Sequence, residues 1–252
     1  MKQYMQDKLC VKIYPTRPEM GAGAAADIHA CLVRLLAEKD EVNMIFAAAP
    51  SQNETLAALL TYDDIDWSRV NAFHMDEYIG LPADAPQRFG IYLAEHIFDH
   101  APFKSINYID SSSTIEEECA RYTALLEKFP TDIVCMGIGE NGHIAFNDPP
   151  VADFNDPAVI KAVPLDEICR NQQVHDGCFE KLEDVPTHAL TLTVPTLFRA
   201  GYLFCSVPAI TKARAVREML TTDAIDEHCP AAILRLHDQA VLYCDGDSSS
   251  LL

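Results

Sequence analysis

The stretch Asp132-Ile-Val-Cys-Met-Gly-Ile-Gly-Glu-Asn-Gly-His-Ile-Ala-Phe-Asn-Asp-Pro-Pro150 decides the fold. Its run Ile133 to Met136 is short, apolar and bounded by glycine, the pattern of a buried strand. Gly137, Gly139 and Gly142 then let the backbone approach a ligand and take up positive φ where needed. The turn delivers His143, whose unperturbed pKa lies near neutrality, between the amide of Asn141 and the carboxylate of Asp148. This places hydrogen bonding, proton transfer and orientation at the carboxyl end of a strand. The spelling Gly137-x-Gly139-x-x-Gly142 also matches a dinucleotide fingerprint, but Pro149 and Pro150 would stop the long helix that such a site opens.

Outward from this stretch, apolar β-branched runs alternate with helix-period segments. Strands are expected at 9–14, 42–48, 70–75, 106–109, 133–136, 159–163, 189–194, 201–207 and 240–244, and helices at 18–39, 51–61, 86–100, 114–129 and 208–220. The serine run 111–113 is expected to cap the helix near Thr114. The Pro-, Asp- and Asn-rich segment 147–157 reads as a loop over the site. Such alternation implies a Rossmann-like α/β fold, a mostly parallel sheet with helices on both faces, with residues 1–252 as one domain.

Composition narrows the function. Hydrophobic residues make up 49% of the 252, ample for a core. No apolar run is expected to reach a membrane span, so a cytoplasmic protein with no membrane partner is expected. Nine cysteines are scattered without a CxxC pair, which suggests neither a disulfide framework nor a zinc ribbon. A net charge of −19 disfavours nucleic acid as a partner, and a phosphorylated ligand would need local donors to overcome that field.

A second cluster, Asn71-Ala-Phe-His-Met-Asp-Glu-Tyr-Ile-Gly-Leu-Pro82, ends another strand and puts Asp76 and Glu77 where α/β active sites are built. A carboxylate there is a candidate general base if the cleft raises its pKa. His96 and His100 stand at i, i+4, a metal-compatible spacing, but helix-end capping is the expected role and no metal is expected.

Taken together, the segment 73–82 and the segment 137–149 resemble the glucosamine-6-phosphate deaminase (isomerase) family. The runs His96-Ile-Phe-Asp-His100 and Val185-Pro-Thr-His-Ala-Leu-Thr-Leu-Thr-Val194 are similar to further motifs of that family, in the expected order. The resemblance implies aldose–ketose isomerisation of a phosphorylated amino sugar coupled to release of ammonia, with no cofactor. It places Asp76 as the base moving a proton between C2 and C1, His143 as the ring-opening group, and Asn141 and Asp148 as its orienting partners. It also implies that Asp148, shorter than the family's glutamate, reaches His143 by a backbone shift or through water.

The phosphate end departs further. The family's Thr-Gly-Gly-Thr-Pro is replaced by Ala48-Ala49-Pro-Ser51-Gln52, so backbone at Ala48 and Ala49 and donors on Ser51 and Gln52 are expected to serve. Lys212 matches the family's phosphate lysine, whereas a phosphate arginine has no match, with His175 or Asp176 near its place. Arg88 is expected to substitute for it, and Glu77, Gly137 and Gly139 to line the site. The family's effector arginine falls near Pro157-Ala158, although Lys161 matches a neighbouring lysine. The family includes monomers and hexamers, which leaves self-association open. Related readings are a 6-phosphogluconolactonase-like hydrolase and a non-catalytic sugar-phosphate sensor. The continuation His143-Ile-Ala-Phe-Asn-Asp-Pro149 and the filled positions 76 and 143 favour the deaminase.

Overall fold

The computed structural model describes residues 1–110 and 112–252; Ser111, part of the serine run ahead of the fourth helix, lies outside the described residues. The strands are β1 (Lys2–Gln6), β2 (Leu9–Ile13), β3 (Val42–Phe46), β4 (Val70–His74), β5 (Asp76–Tyr78), β6 (Ser105–Asn107), β7 (Ile133–Met136), β8 (Ile160–Pro164), β9 (His188–Leu192), β10 (Tyr202–Val207) and β11 (Ala240–Cys244). The α-helices are α1 (Arg17–Glu38), α2 (Asn53–Leu59), α3 (Phe89–His96), α4 (Ile115–Lys128), α5 (Glu167–His175), α6 (Val194–Phe198) and α7 (Ala213–Thr221).

The main sheet has eight strands in the order β1-β2-β11-β10-β7-β3-β4-β6. Only the hairpin β1–β2 is antiparallel; every other neighbouring pair is parallel. From β3 the chain runs through α2 to β4 and on to β6, whereas from β7 it goes to β10 and β11 on the other side. The adjacent strands β3 and β7 thus send the chain in opposite directions and leave a crevice beyond their carboxyl ends.

Strand periodicity sorts the core into two layers. On β3, Val42, Met44 and Phe46 pack with Met20, Ala24 and Ile28 of α1, Leu56 of α2 and Leu93 of α3. Ile45 joins Phe73, Val134 and Met136 against Tyr122 and Leu126 of α4 and Val216 and Met219 of α7. Each fully buried Leu, Ile or Met of this kind contributes roughly 1.5–3 kcal/mol. Helix α1 is long and apolar enough to span a membrane, contrary to expectation, but its apolar face is buried here. It starts where Thr16 accepts the Glu19 N–H and Pro18 occupies the first turn.

Three features depart from the sequence reading. The segments expected as strands near 159–163 and 189–194 leave the parallel sheet and pair antiparallel with β5 in a small sheet ordered β5-β9-β8. Val194 starts α6 rather than ending a strand, since Pro195 suits a first helical turn and cannot donate to a ladder. The helix expected over 86–100 runs only over Phe89–His96, because Ile97 leaves helical geometry and a separate turn follows at Phe98–His100. Thr114 caps α4 by accepting the Glu117 N–H. His96 Nδ1 lies 2.7 Å from the Tyr92 carbonyl and His100 Nε2 2.7 Å from that of Glu95, the expected helix-end role.

Candidate active site

A cleft open to solvent lies beyond the carboxyl ends of β3 and β7. Residues 47–51 after β3, Met75 and Asp76 after β4, Gly137, Ile138 and His143 after β7, and Pro208, Ala209, Thr211 and Lys212 after β10 all line it. Helix α5 adds Gln172 and Gln173, followed by Asp176, and α1 adds Arg17 from its first turn.

Asp76 opens β5, where pairing opposite Thr191 of β9 fixes its backbone. Just before it, the fully buried His74 ties the turn down. Its Nδ1 lies 2.9 Å from the Asp76 carbonyl and its Nε2 accepts the Ile109 N–H at 2.8 Å. That pair of contacts assigns the proton to Nδ1 of a neutral ring. Burial lowers the His74 pKa from 6.5 to about 4, which keeps it neutral. Tyr122 adds a second tie, accepting from the His74 N–H and donating to the His74 carbonyl. Among the described residues the Asp76 carboxyl makes no ion pair; burial, then the neighbouring Glu77 carboxylate, raise its pKa well above the ordinary range.

The glycine-rich turn brings the second arm together. A Cβ on Gly139 would fall 2.1 Å from His143 Cε1, so only glycine leaves room for the imidazole there. Gly142 takes φ 78°, which favours glycine. Asn141 Oδ1 accepts the His143 backbone N–H at 3.1 Å, and Asn141 Nδ2 donates to Asp148 Oδ1 at 2.9 Å. His143 Nδ1 lies 2.9 Å from the same Asp148 oxygen, near enough for a charge-assisted contact, although the N–H direction is not aligned on it. The shorter Asp148 therefore comes within direct contact distance of the imidazole. Burial disfavours the Asp148 anion, but His143, Asn141 and the Asp166 N–H outweigh it and hold its pKa below the usual value.

Lys212 also lines the cleft; it is buried, and its Nζ has no hydrogen-bond partner among the described residues. Burial lowers its pKa, with Asp176 and Glu140 opposing. Lys212 closes a short 3-10 turn that begins after Ala209, whose φ of 81° lies in the region that favours glycine. That strained position is held by the Asp245 carboxylate, which accepts the Ala209 N–H at 3.1 and 3.2 Å.

Of the residues expected at the site, Ala48, Ala49, Ser51, Asp76, Gly137, His143 and Lys212 line the cleft. Asn141, Asp148 and Gly139 support it from behind. Three expectations need correction. Gln52 donates its side-chain amide to the carbonyls of Met136 and Ser206, stitching β3 to β7 and β10, and does not line the cleft. The Glu77 carboxylate accepts the N–H groups of Tyr78, Phe89 and Gly90, tying down the start of α3. Arg88 lies 3.6 Å from Glu77 beside a separate hollow and does not line the main cleft.

Sequence reasoning missed Arg17, Gln172 and Gln173. Helix α5 was not foreseen, although Asp166 followed by Glu167 is a readable cap signal: Asp166 accepts the Cys169 N–H at 2.8 Å. That helix also sets Cys169 behind the imidazole. His143, Asp148 and Cys169 present ligand atoms within 4.8 Å of one another, but burial and the neighbouring carboxylates raise the Cys169 pKa well above its ordinary value, which disfavours the thiolate a metal would need.

Comparison with known proteins shows the family and the fold. Residues 15–243 match the model of the glucosamine-6-phosphate isomerases/6-phosphogluconolactonase family. A glucosamine-6-phosphate deaminase of Bacillus thuringiensis (strain Al Hakam) is 40% identical over 74% of this chain and 70% of its own length. One from Bacillus cereus (strain G9842) is 35% identical over 90% and 84%. A solved monomeric glucosamine-6-phosphate deaminase superposes with a TM-score of 0.86 at 28% identity, covering 96% of this chain and 99% of that one. A Thermotoga maritima 6-phosphogluconolactonase shares the fold at 20% identity and a TM-score of 0.74, over 93% and 98%. With the family model spanning nearly the whole chain, and the parallel sheet and its crevice in place, this protein belongs to the glucosamine-6-phosphate isomerase/6-phosphogluconolactonase family.

Proposed function

We propose that the protein converts glucosamine 6-phosphate, or a close amino-sugar phosphate, to the ketose phosphate with release of ammonia. The observation that carries this reading is one cleft lined both by a buried ammonium, Lys212, that lacks any hydrogen-bond partner among the described residues, and by the Asp76 carboxyl and the His143 imidazole. An unpaired buried cation is costly, and an incoming phosphate supplies its partner. The relatives named as deaminases at 35–40% identity support the same substrate class.

In this reading His143 moves a proton to or from the sugar ring oxygen to open the ring, with Asp148 and Asn141 orienting the imidazole. Asp76 then takes the proton from C2 and returns it to C1. Its raised proton affinity, owed to burial and Glu77, makes the anion a stronger base once formed. The product imine at C2 adds water and expels ammonia. The test is incubation with a panel of hexosamine 6-phosphates, measuring ammonia and ketose phosphate. Equal amounts of both from glucosamine 6-phosphate are expected; no product from any member of the panel would remove the reading.

A further inference from the structure

We infer that Arg17 completes the phosphate subsite of the cleft, as the second cation that holds the substrate's anionic end. This rests on the sugar-phosphate reading above and names a residue within it. Lys212 alone is a weak anchor for a phosphate dianion, because Asp176 lines the same cleft and its field acts on Lys212. In a chain of net charge −19, further positive charge has to come from a nearby side chain.

Arg17 is the other cationic side chain that lines this cleft among the described residues. It sits in the first turn of α1, far from the catalytic turns in sequence, and close packing of α1 on α2 brings it there. A Cβ on Gly21 would fall 2.4 Å from Glu54 Cβ and 2.8 Å from the Glu54 carbonyl carbon, so glycine is what lets the two helices close. The guanidinium is then fixed at two of its three nitrogens. Its Nε donates to Glu54 Oε1 at 2.7 Å, and Nη2 donates to the Pro50 carbonyl. Pro50 belongs to the loop that stands where a phosphate loop is expected, beside Ser51. Among the described residues Nη1 has no hydrogen-bond partner, which leaves a pre-oriented donor on a half-buried guanidinium. Arginine held this way suits an oxyanion better than a mobile lysine would, since its fork is planar and already ordered.

The test is steady-state kinetics on the full chain with glucosamine 6-phosphate, together with inhibition by inorganic phosphate. Arg17→Ala is expected to raise KM about ten- to hundredfold, leave kcat within about threefold, and weaken phosphate inhibition in parallel. A purely structural role for Arg17 would instead lower kcat and Tm together and leave phosphate inhibition unchanged. Should Arg17→Ala fail to fold, Arg17→Gln, which can keep a hydrogen bond to Pro50, carries the same expectation. KM and phosphate inhibition within twofold of wild type in the folded variant would overturn the inference. Arg17-dependent inorganic phosphate binding without ammonia release by the wild type would sink the deaminase reading and leave the anion subsite standing.

Discussion

His74 Nδ1 lies 2.9 Å from the carbonyl oxygen of Asp76, two residues away, while its Nε2 accepts the Ile109 N–H. The imidazole thus bridges the turn between β4 and β5 to the end of β6, and it does so only as the neutral ring. Protonation would put a hydrogen on the nitrogen that accepts from Ile109 and a charge in a fully buried site.

Acid sensitivity follows from that geometry. The folded pKa of about 4 lies below the ordinary 6.5, so the unfolded chain binds the proton first. The contribution of His74 to stability is complete above about pH 6.5 and is lost as pH falls towards 4, up to about 3 kcal/mol. His74→Gln can keep both hydrogen bonds without titrating. Denaturant melts from pH 7 to 4 should show the wild type losing more stability than this variant; equal losses would contradict the neutral-ring assignment.

Burial of Asp76 costs folding stability. Its folded carboxyl holds a proton more tightly than the unfolded one does, so at neutral pH the buried anion counts against folding. Asp76→Asn is expected to abolish exchange of the C2 proton with solvent while raising Tm by about 2–4 °C. Proton exchange followed by NMR and a thermal melt check the two halves independently.

Asp148→Asn should disable the imidazole without removing it. An amide nitrogen placed near His143 Nδ1 would donate where the carboxylate accepts, favouring the wrong tautomer. The expected loss is about 10- to 1000-fold in kcat with KM little changed. The pyranose substrate should suffer more than an open-chain analogue, which bypasses ring opening; equal losses on both would assign Asp148 another role.

Ala209 offers the opposite outcome. At φ 81° an alanine costs about 1–3 kcal/mol that glycine avoids. Ala209→Gly is expected to stabilise the fold by about 1 kcal/mol, less than the full strain because glycine loses more entropy on folding. Urea denaturation measures it, and a lower midpoint would place the strain elsewhere.

Much of the site was legible locally. The turn 137–148 and the cluster 73–78 each put their reactive side chains at strand ends, because short apolar runs bounded by glycine specify both the strand and its carboxyl terminus. Asn141, His143 and Asp148 lie within eight residues of one another, so their mutual contacts are nearly a local property of that turn. Gly139 was readable as a close-approach position, though not that the approaching group is the histidine four residues on.

Glu77 and Arg88 show where local reading stops. A carboxylate at a strand end looks the same in sequence whether it faces a cleft or the amides opening a helix, and only the path of α3 turned Glu77 towards Phe89 and Gly90. What the sequence by itself determined is the alternating α/β pattern, the parallel sheet and the two strand-end turns that carry Asp76 and His143, all fixed by periodicity and glycine within short windows. The tertiary structure alone brought Arg17 to the cleft beside Lys212 and Asp176. Arg17, Lys212 and Asp176 come from three distant segments, and they share one cleft because β3 and β7 send the chain in opposite directions while α1 closes on α2 at Gly21.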